Sequence, residues 1–267
     1  MLTTRAYLLP AVPTMLIDEQ RGDVTEMIEA LVASGERLAA EDPDVIVALS
    51  PRWVSPGPFG VDDAREHRSM VDLPTFGVEP RYDCPGHQPL ARAIVESANK
   101  AGVRSAIARH GADSAVAIPL HFFARSRRIP VVPVSIGEGS REEHRAWGTA
   151  LRNALQAFEG KAAFVVGGAV QWSVHDFNLR REVEDGYELD RRVQSVLRRG
   201  AWGELERAIE DAGKRATPEA SLLHLEVLRG FVLIEGTPGD VLEYETSPGI
   251  GTVLAEFELV TPESAGD

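Results

Sequence analysis

The sequence predicts an α/β protein: a single domain over residues 1–267 whose central sheet, mainly parallel or mixed, carries helices on both faces. Three observations lead there. Short β-rich runs alternate with amphipathic helical patterns, the arrangement that lays helices over a parallel sheet. The 267 residues, 43% hydrophobic and 26% charged, suffice for a sizeable core. No repeat, low-complexity segment or long Gly/Ser linker divides the chain.

Taken in order, "RAYLL" (5–9) reads as the first strand. Residues 24–40 follow as a helix that puts Val24, Met27, Ile28, Leu31 and Val32 on one face. "DVIVALS" (44–50) reads as a buried strand ending in a Ser-Pro turn that carries Arg52 and Trp53. The carboxyl end of a strand in an open α/β sheet is where binding and chemistry are placed, which singles out Arg52. Residues 51–89, rich in proline and glycine with few helical faces, are long for a structureless connection, and such loops are functional or wrap a pocket. "VRSAIAR" (103–109), "PVVPVSI" (130–136) and "AAFVVGG" (162–168) supply further strands. Between the last two, 144–158 is a helix with Trp147, Leu151, Leu155 and Phe158 on one side. Three helical patterns near 187–198, 202–212 and 218–230 come next, then two strand-like runs, "DVLEYET" (240–246) and "GTVLAEFELV" (251–260).

Charge and composition exclude several functions. Forty-one acidic against 28 basic residues give a net charge of −13, which repels phosphate backbones, so no nucleic acid is expected as a partner. The clusters Arg125–Arg128 and Arg191–Arg199 are short, and the second lies on a helix beside Glu and Asp as a solvated face. No apolar run approaches the roughly 18 residues of a membrane span, and the first residues lack signal-peptide order; a cytoplasmic protein is expected. The lone Cys84 rules out an internal disulfide and a cysteine-rich metal site, and reads as a pocket or surface thiol.

Common catalytic motifs are missing. Neither "LPAVPT" after the first strand nor "VGGAVQW" after the fifth is a phosphate-binding loop, and "SIGEGSREE" reads as a turn and helix cap. Ser50, Ser114 and Ser135 lack the GxSxG frame of a nucleophile elbow. A metal needs converging His and carboxylate side chains. Of the seven histidines, His110 lies just past a strand end, with His121 eleven residues on. His144 and His224 fall in amphipathic helices as packed or surface residues, His67 in the charged "DDAREHRS" reads as solvated, and His87 carries no signal. His175 has Asp176 beside it and is a candidate catalytic pair, although sequence neighbours point in different directions.

The order of short motifs resembles the class III extradiol ring-cleavage dioxygenases, the group that contains the catalytic subunit of protocatechuate 4,5-dioxygenase. "LLPAVP" (8–13) looks like the family's first strand and "SPRW" (50–53) like its Ser-Pro-His-Trp. "YDCPGHQPLA" (82–91) is similar to its Tyr and Leu-Ala helix, and "GADSAVAIPL" (111–120) to its Gly-x-Asp-His-Gly segment. "IPVVPVSI", "VVGGAVQW" and "GDVLEYETSPGIGTVLAEFEL" follow in family order, so the resemblance covers nearly the whole chain.

In that family two histidines and a glutamate hold ferrous iron, and further histidines act as acid or base. The resemblance puts the first ligand position on Ala11 and the second on Arg52, neither of which replaces imidazole. It puts Ser114 where a histidine follows Asp113, and Trp172, or Gln171 if the frame slips by one, at another family histidine. The glutamate falls on Glu219 or Glu226. Trp53 keeps a pocket wall. The resemblance therefore implies a homologue that has lost its metal site, with no Fe(II) cofactor, closest in character to the metal-free α subunit of aminophenol dioxygenases. It implies a non-catalytic subunit or a small-molecule-binding protein, as a homo-oligomer or beside a catalytic paralogue, with an aromatic or anionic small molecule as the ligand class. Two alternatives stay open. One is an enzyme of altered chemistry, in which Arg52 clamps a carboxylate, Trp53 stacks a ring, and His110, Asp113 or His175 move protons; against it stands internal pairing of Arg52 with Asp113 or Glu219. The other is an active dioxygenase with a displaced metal site built from His110, His121 and a glutamate.

Overall fold

The computed structural model describes residues 1–232 and 236–259. The chain opens with β1 (Leu2–Pro10), α1 (Thr14–Arg21), α2 (Glu26–Ala40), β2 (Val45–Ser55), β3 (Phe59–Val61), β4 (Glu66–His67), β5 (Cys84–Pro85) and α3 (Gln88–Lys100). It continues through β6 (Ser105–Ile107), α4 (Ser114–Phe123), β7 (Val131–Gly137), α5 (Arg141–Gln156), β8 (Ala162–Gly168), β9 (Gln171–Trp172), α6 (Val174–Leu179), α7 (Glu184–Arg199), α8 (Leu205–Ala212) and α9 (Leu223–Val232), and closes with β10 (Asp240–Ser247) and β11 (Ile250–Glu258).

One mixed sheet organises the molecule, in the order β10-β11-β1-β8-β2-β7-β3-β6, with β9 paired to β11. The central strands β1, β8, β2 and β7 run parallel. β11 lies antiparallel to β1, and β3 antiparallel to β7. Alternate residues of each strand face opposite layers. Thus Ala6, Leu8, Val47, Leu49, Phe164 and Val166 pack under α3, α5 and α7–α9, as one apolar core. Tyr7, Leu9, Ile46, Ala48, Ala163 and Val165 pack under α1, α2 and α4, as the other. Helices on both faces of a mixed sheet are what the alternating sequence pattern predicts.

Local chemistry explains the helix ends. The Thr25 side chain caps α2 through the amide of Ile28. Ser140 and Glu143 form a reciprocal capping box that starts α5, so "SIGEGSREE" is the turn and cap expected of it. Four differences from the sequence reading concern the site. The strand predicted to stop at Ser50 runs on to Ser55, and the ladder with β7 slips between Ser50 and Val54, so Pro51–Trp53 form a bulge inside a central strand. Residues 51–89 are not structureless but contain β3, β4, β5 and a 3-10 turn at Pro74–Phe76. The helical pattern near 218–230 is broken: a turn over Glu219–Leu222 precedes α9, with Ala220, Ser221 and Leu222 at φ 46°, 53° and 58°. The run predicted over 251–260 is strand to Glu258, and Val260 lies outside the described residues.

Candidate functional site

The bulge in β2 points Arg52 across the carboxyl ends of the parallel strands, where each nitrogen of its guanidinium makes a hydrogen bond. Nε donates to Glu219 Oε1 at 3.1 Å, Nη1 to Ser114 Oγ at 2.7 Å and Nη2 to the Ala11 carbonyl at 2.9 Å. The indole of Trp172 covers it, with the Arg52 Cζ 4.2 Å from the ring centroid. Ala11 follows the end of β1, Ser114 begins α4, Trp172 lies on β9 and Glu219 on the turn before α9, so four separate segments converge on one cation. The Arg52 side chain is 11% exposed and that of Glu219 5%, which makes this a buried ion pair.

Both Glu219 oxygens are engaged. Its Oε2 accepts from the Ala169 amide while Oε1 holds Arg52. Burial pushes the Glu219 carboxyl up, and the Arg52 charge and the Ala169 amide oppose that rise. The approach requires glycine at 168, which sits at φ 143° and whose Cβ would strike Glu219 Oε2 and Pro51. His224, the second residue of α9, lies against the same glycine. It is fully buried, neither ring nitrogen finds a hydrogen-bond partner, and burial followed by the Arg52 charge pushes it down to about 3. His224 is therefore a neutral, packed imidazole.

A second network adjoins the first. Asp113 caps α4 with Oδ1, which accepts from Ala115 and Val116 amides. Its Oδ2 accepts from Ser50 Oγ at 2.6 Å and meets His110 Nε2 at 2.9 Å. An ionised carboxylate only accepts, so in this contact Nε2 is the donor. The imidazole lies flat on Trp53, at 4.5 Å between centroids and 6° between planes. Ser50 Oγ also accepts from the Arg52 and Trp53 amides, which fixes the bulge. Above the centre, Asp72 accepts from Ser114 Oγ at 2.6 Å, and Phe76 packs 6.2 Å from Trp172 and 4.9 Å from Phe177. Residues 72–76 thus strap over the site, the role the Pro/Gly-rich segment was expected to play.

The structure brings together Ala11, Arg52, Ser114, Trp172 and Glu219, with Trp53, His110 and Asp113 beside them. It resolves two ambiguities of the sequence: Trp172, not Gln171, faces Arg52, and the carboxylate is Glu219. Gln171 is buried against Gly186 of α7 instead. Glu226 is held by Arg141 and Arg145 at 3.4 and 3.0 Å and by Arg229 at 3.6 Å. Of the two internal partners foreseen for Arg52, the structure selects Glu219, and Asp113 serves His110.

Other candidates lie apart. His175 is exposed on α6, while its neighbour Asp176 is taken by Ser173 Oγ at 2.7 Å and Arg181 Nε at 2.6 Å. His121 pairs with Glu19 at 2.7 Å, so it shares no ligand with His110. Among the described residues, no three His, Cys, Asp or Glu side chains are grouped to hold a metal. His67, read as solvated, is buried at 1% exposure with Nδ1 3.6 Å from Asp62 Oδ2. Asp62 holds the His110 and Gly111 amides at 2.8 Å; its burial opposes ionisation, but His67 and these amides hold it below the usual carboxylate range. Sequence reasoning missed this support because "DDAREHRS" has the composition of a surface. Cys84 is likewise buried rather than at a pocket or surface, and burial pushes its thiol up to about 12.

Residues 5–255 match the family described as the catalytic LigB subunit of aromatic ring-opening dioxygenase. The chain belongs to this family. Its fold is similar to that of the uncharacterized protein JW3007 from Escherichia coli K12, matched with a TM-score of 0.69 at 19% identity over 95% of this chain and 99% of the other. Among curated proteins there is no match. Among the described residues no helix is long and apolar enough to cross a membrane.

Proposed function

We propose that this LigB-family chain is a non-catalytic homologue of the ring-cleavage dioxygenases, a cytoplasmic subunit that works as a homo-oligomer or beside a catalytic paralogue. One observation carries the reading: a guanidinium, held by Ala11, Ser114 and Glu219 under Trp172, fills the centre. These residues do not fit ferrous iron. Ala11 offers a carbonyl already engaged by Arg52, guanidinium has no lone pair, and Glu219 is the one carboxylate at the centre and is paired with Arg52. A cation placed beside Arg52 would also meet like-charge repulsion in a poorly solvated space. Anaerobic loading with Fe(II), followed by metal analysis and spectroscopy, tests this. The expected outcome is no stoichiometric iron; one tightly held iron per chain with two imidazole ligands would sink the reading.

A second reading, an enzyme of altered chemistry on an aromatic or carboxylate substrate, draws on the His110–Asp113 pair. An imidazole oriented by a carboxylate is the arrangement that general acid–base chemistry uses. Aromatic carboxylates screened by thermal shift separate the readings: stabilisation that vanishes in Arg52→Ala favours a ligand site, and no response favours the ion pair as cavity filler.

A further inference from the structure

The interface beneath Trp172 contains a buried acid without a counter-ion. Asp190 of α7 is wholly inaccessible to solvent, and its carboxyl packs on Gly251 of β11, where any side chain would collide with it. Its Oδ2 accepts from Tyr244 Oη at 2.8 Å, and its Oδ1 has no hydrogen-bond partner. A second orphan acceptor shares the interface. Gln171 Oε1 is buried, unpartnered, and pressed on Gly186, one helical turn before Asp190. Gln171 and Gly251 are register partners in the β9–β11 ladder, so both orphan oxygens belong to one contact between α7 and that ladder.

Among the described residues, no cation forms an ion pair with Asp190. Arg191, the nearest on α7, turns to Glu184 at 3.1 Å and Glu188 at 2.8 Å on the exposed side. Tyr187 on α7 and Tyr244 on β10 are neutral phenols. Next to Tyr244, Glu243 and Glu245 project to the opposite face of the strand. From β9 and β11 the facing residues are Gln171 and Gly251, neither of them charged. Protonated, Asp190 is neutral and its Oδ1 is no longer a bare charged acceptor, whereas an ionised carboxylate adds a charge to a sealed apolar contact.

We infer that Asp190 is a proton-dependent latch: neutral, it seats the β9–β11 ladder on α7, and ionised, it loosens the ladder and with it the Trp172 indole that covers Arg52. The latch does not depend on whether the centre binds iron. Burial pushes the Asp190 carboxyl up to about 7, with the Tyr244 hydroxyl and the Arg191 charge acting against the rise, so the change falls near neutrality. The sign follows from linkage. A raised folded-state value adds stability below the ordinary carboxylate range, and this is lost as pH climbs to about 7; within that window Asp190 alone raises the unfolding constant about tenfold per pH unit.

The test uses the intact chain in solution. Carboxyl carbon NMR, with the Asp190 signal assigned by its loss in Asp190→Asn, should give a midpoint near neutral pH. The Trp172 indole N–H, assigned among the four tryptophans with Trp172→Phe, should shift with the same midpoint and stay fixed in Asp190→Asn. An Asp190 midpoint in the ordinary carboxylate range would overturn the inference. So would a Trp172 signal that ignores the Asp190 titration, or one that still shifts in the Asn variant. Sequential backbone assignment of the unsubstituted protein identifies the Asp190 carboxyl independently, so its titration stands even if a variant folds poorly.

Discussion

At the residue scale, the centre is defined by one ion pair with nothing left over. Removing either partner strands the other in a poorly solvated space, which costs about 3–5 kcal/mol for a buried pair. Arg52→Ala should therefore lower stability by roughly that amount in urea unfolding, while Arg52→Ala combined with Glu219→Gln should recover part of the loss. Additive losses would show that the pair is not coupled. The chemistry of this residue was legible in the sequence, since "SPRW" places a cation at a strand end and only a few carboxylates could answer it. Its partner was legible only as a choice between Asp113 and Glu219, because sequence spacing does not say which carboxylate crosses the sheet. His67 was misread for the same reason. Its flanking charges are those of a surface, and its burial depends on Asp62, which is close in sequence but held in place by amides 48 and 49 positions away.

At the element scale, the turn at Ala220–Leu222 is the most costly piece of backbone described. Left-handed conformation disfavours residues with a Cβ by about 1–2 kcal/mol each, and here three follow one another without a glycine. Hydrogen bonds hold the turn: the Glu219 amide donates to Val170, the Ser221 amide to Pro218, and Arg141 Nη2 to the Ser221 carbonyl. The strain is placed where it delivers Glu219 to Arg52. Ala220→Gly and Ser221→Gly should each raise stability by roughly 0.5–1 kcal/mol, the left-handed relief less the added freedom of glycine in the unfolded chain. Thermal unfolding measures it, and a loss of stability in both variants would refute the strain. No sequence signal marks this turn, since left-handed residues announce themselves through Gly or Asn. Helix α4 was hidden for a different reason. Nine of its ten residues are buried, so it lacks the polar face that periodicity needs, and Pro119 sits inside it. The helices that keep a polar face, α2 and α5, were read within a few residues of their ends.

At the scale of the whole molecule, alternation of strands and helices was enough to foresee a layered α/β domain, and the order of seven short motifs was enough to foresee the family. The strand order was not, because β1 pairs with β8 and β11 across most of the chain, a distance that no local pattern encodes. With a net charge of −13, self-association has to bury its contacts away from the acidic surface. Sedimentation of the purified chain, alone and mixed with an iron-bearing paralogue, should give a defined homo-oligomer or a mixed one. A monomer under both conditions would remove the subunit role. The pairing of β1 with β11 has a consequence for synthesis. On the ribosome, β1 waits with a bare edge until β11 has emerged, so a nascent chain cannot close this part of the sheet, or seat Trp172 over Arg52, until residues 250–258 have been made.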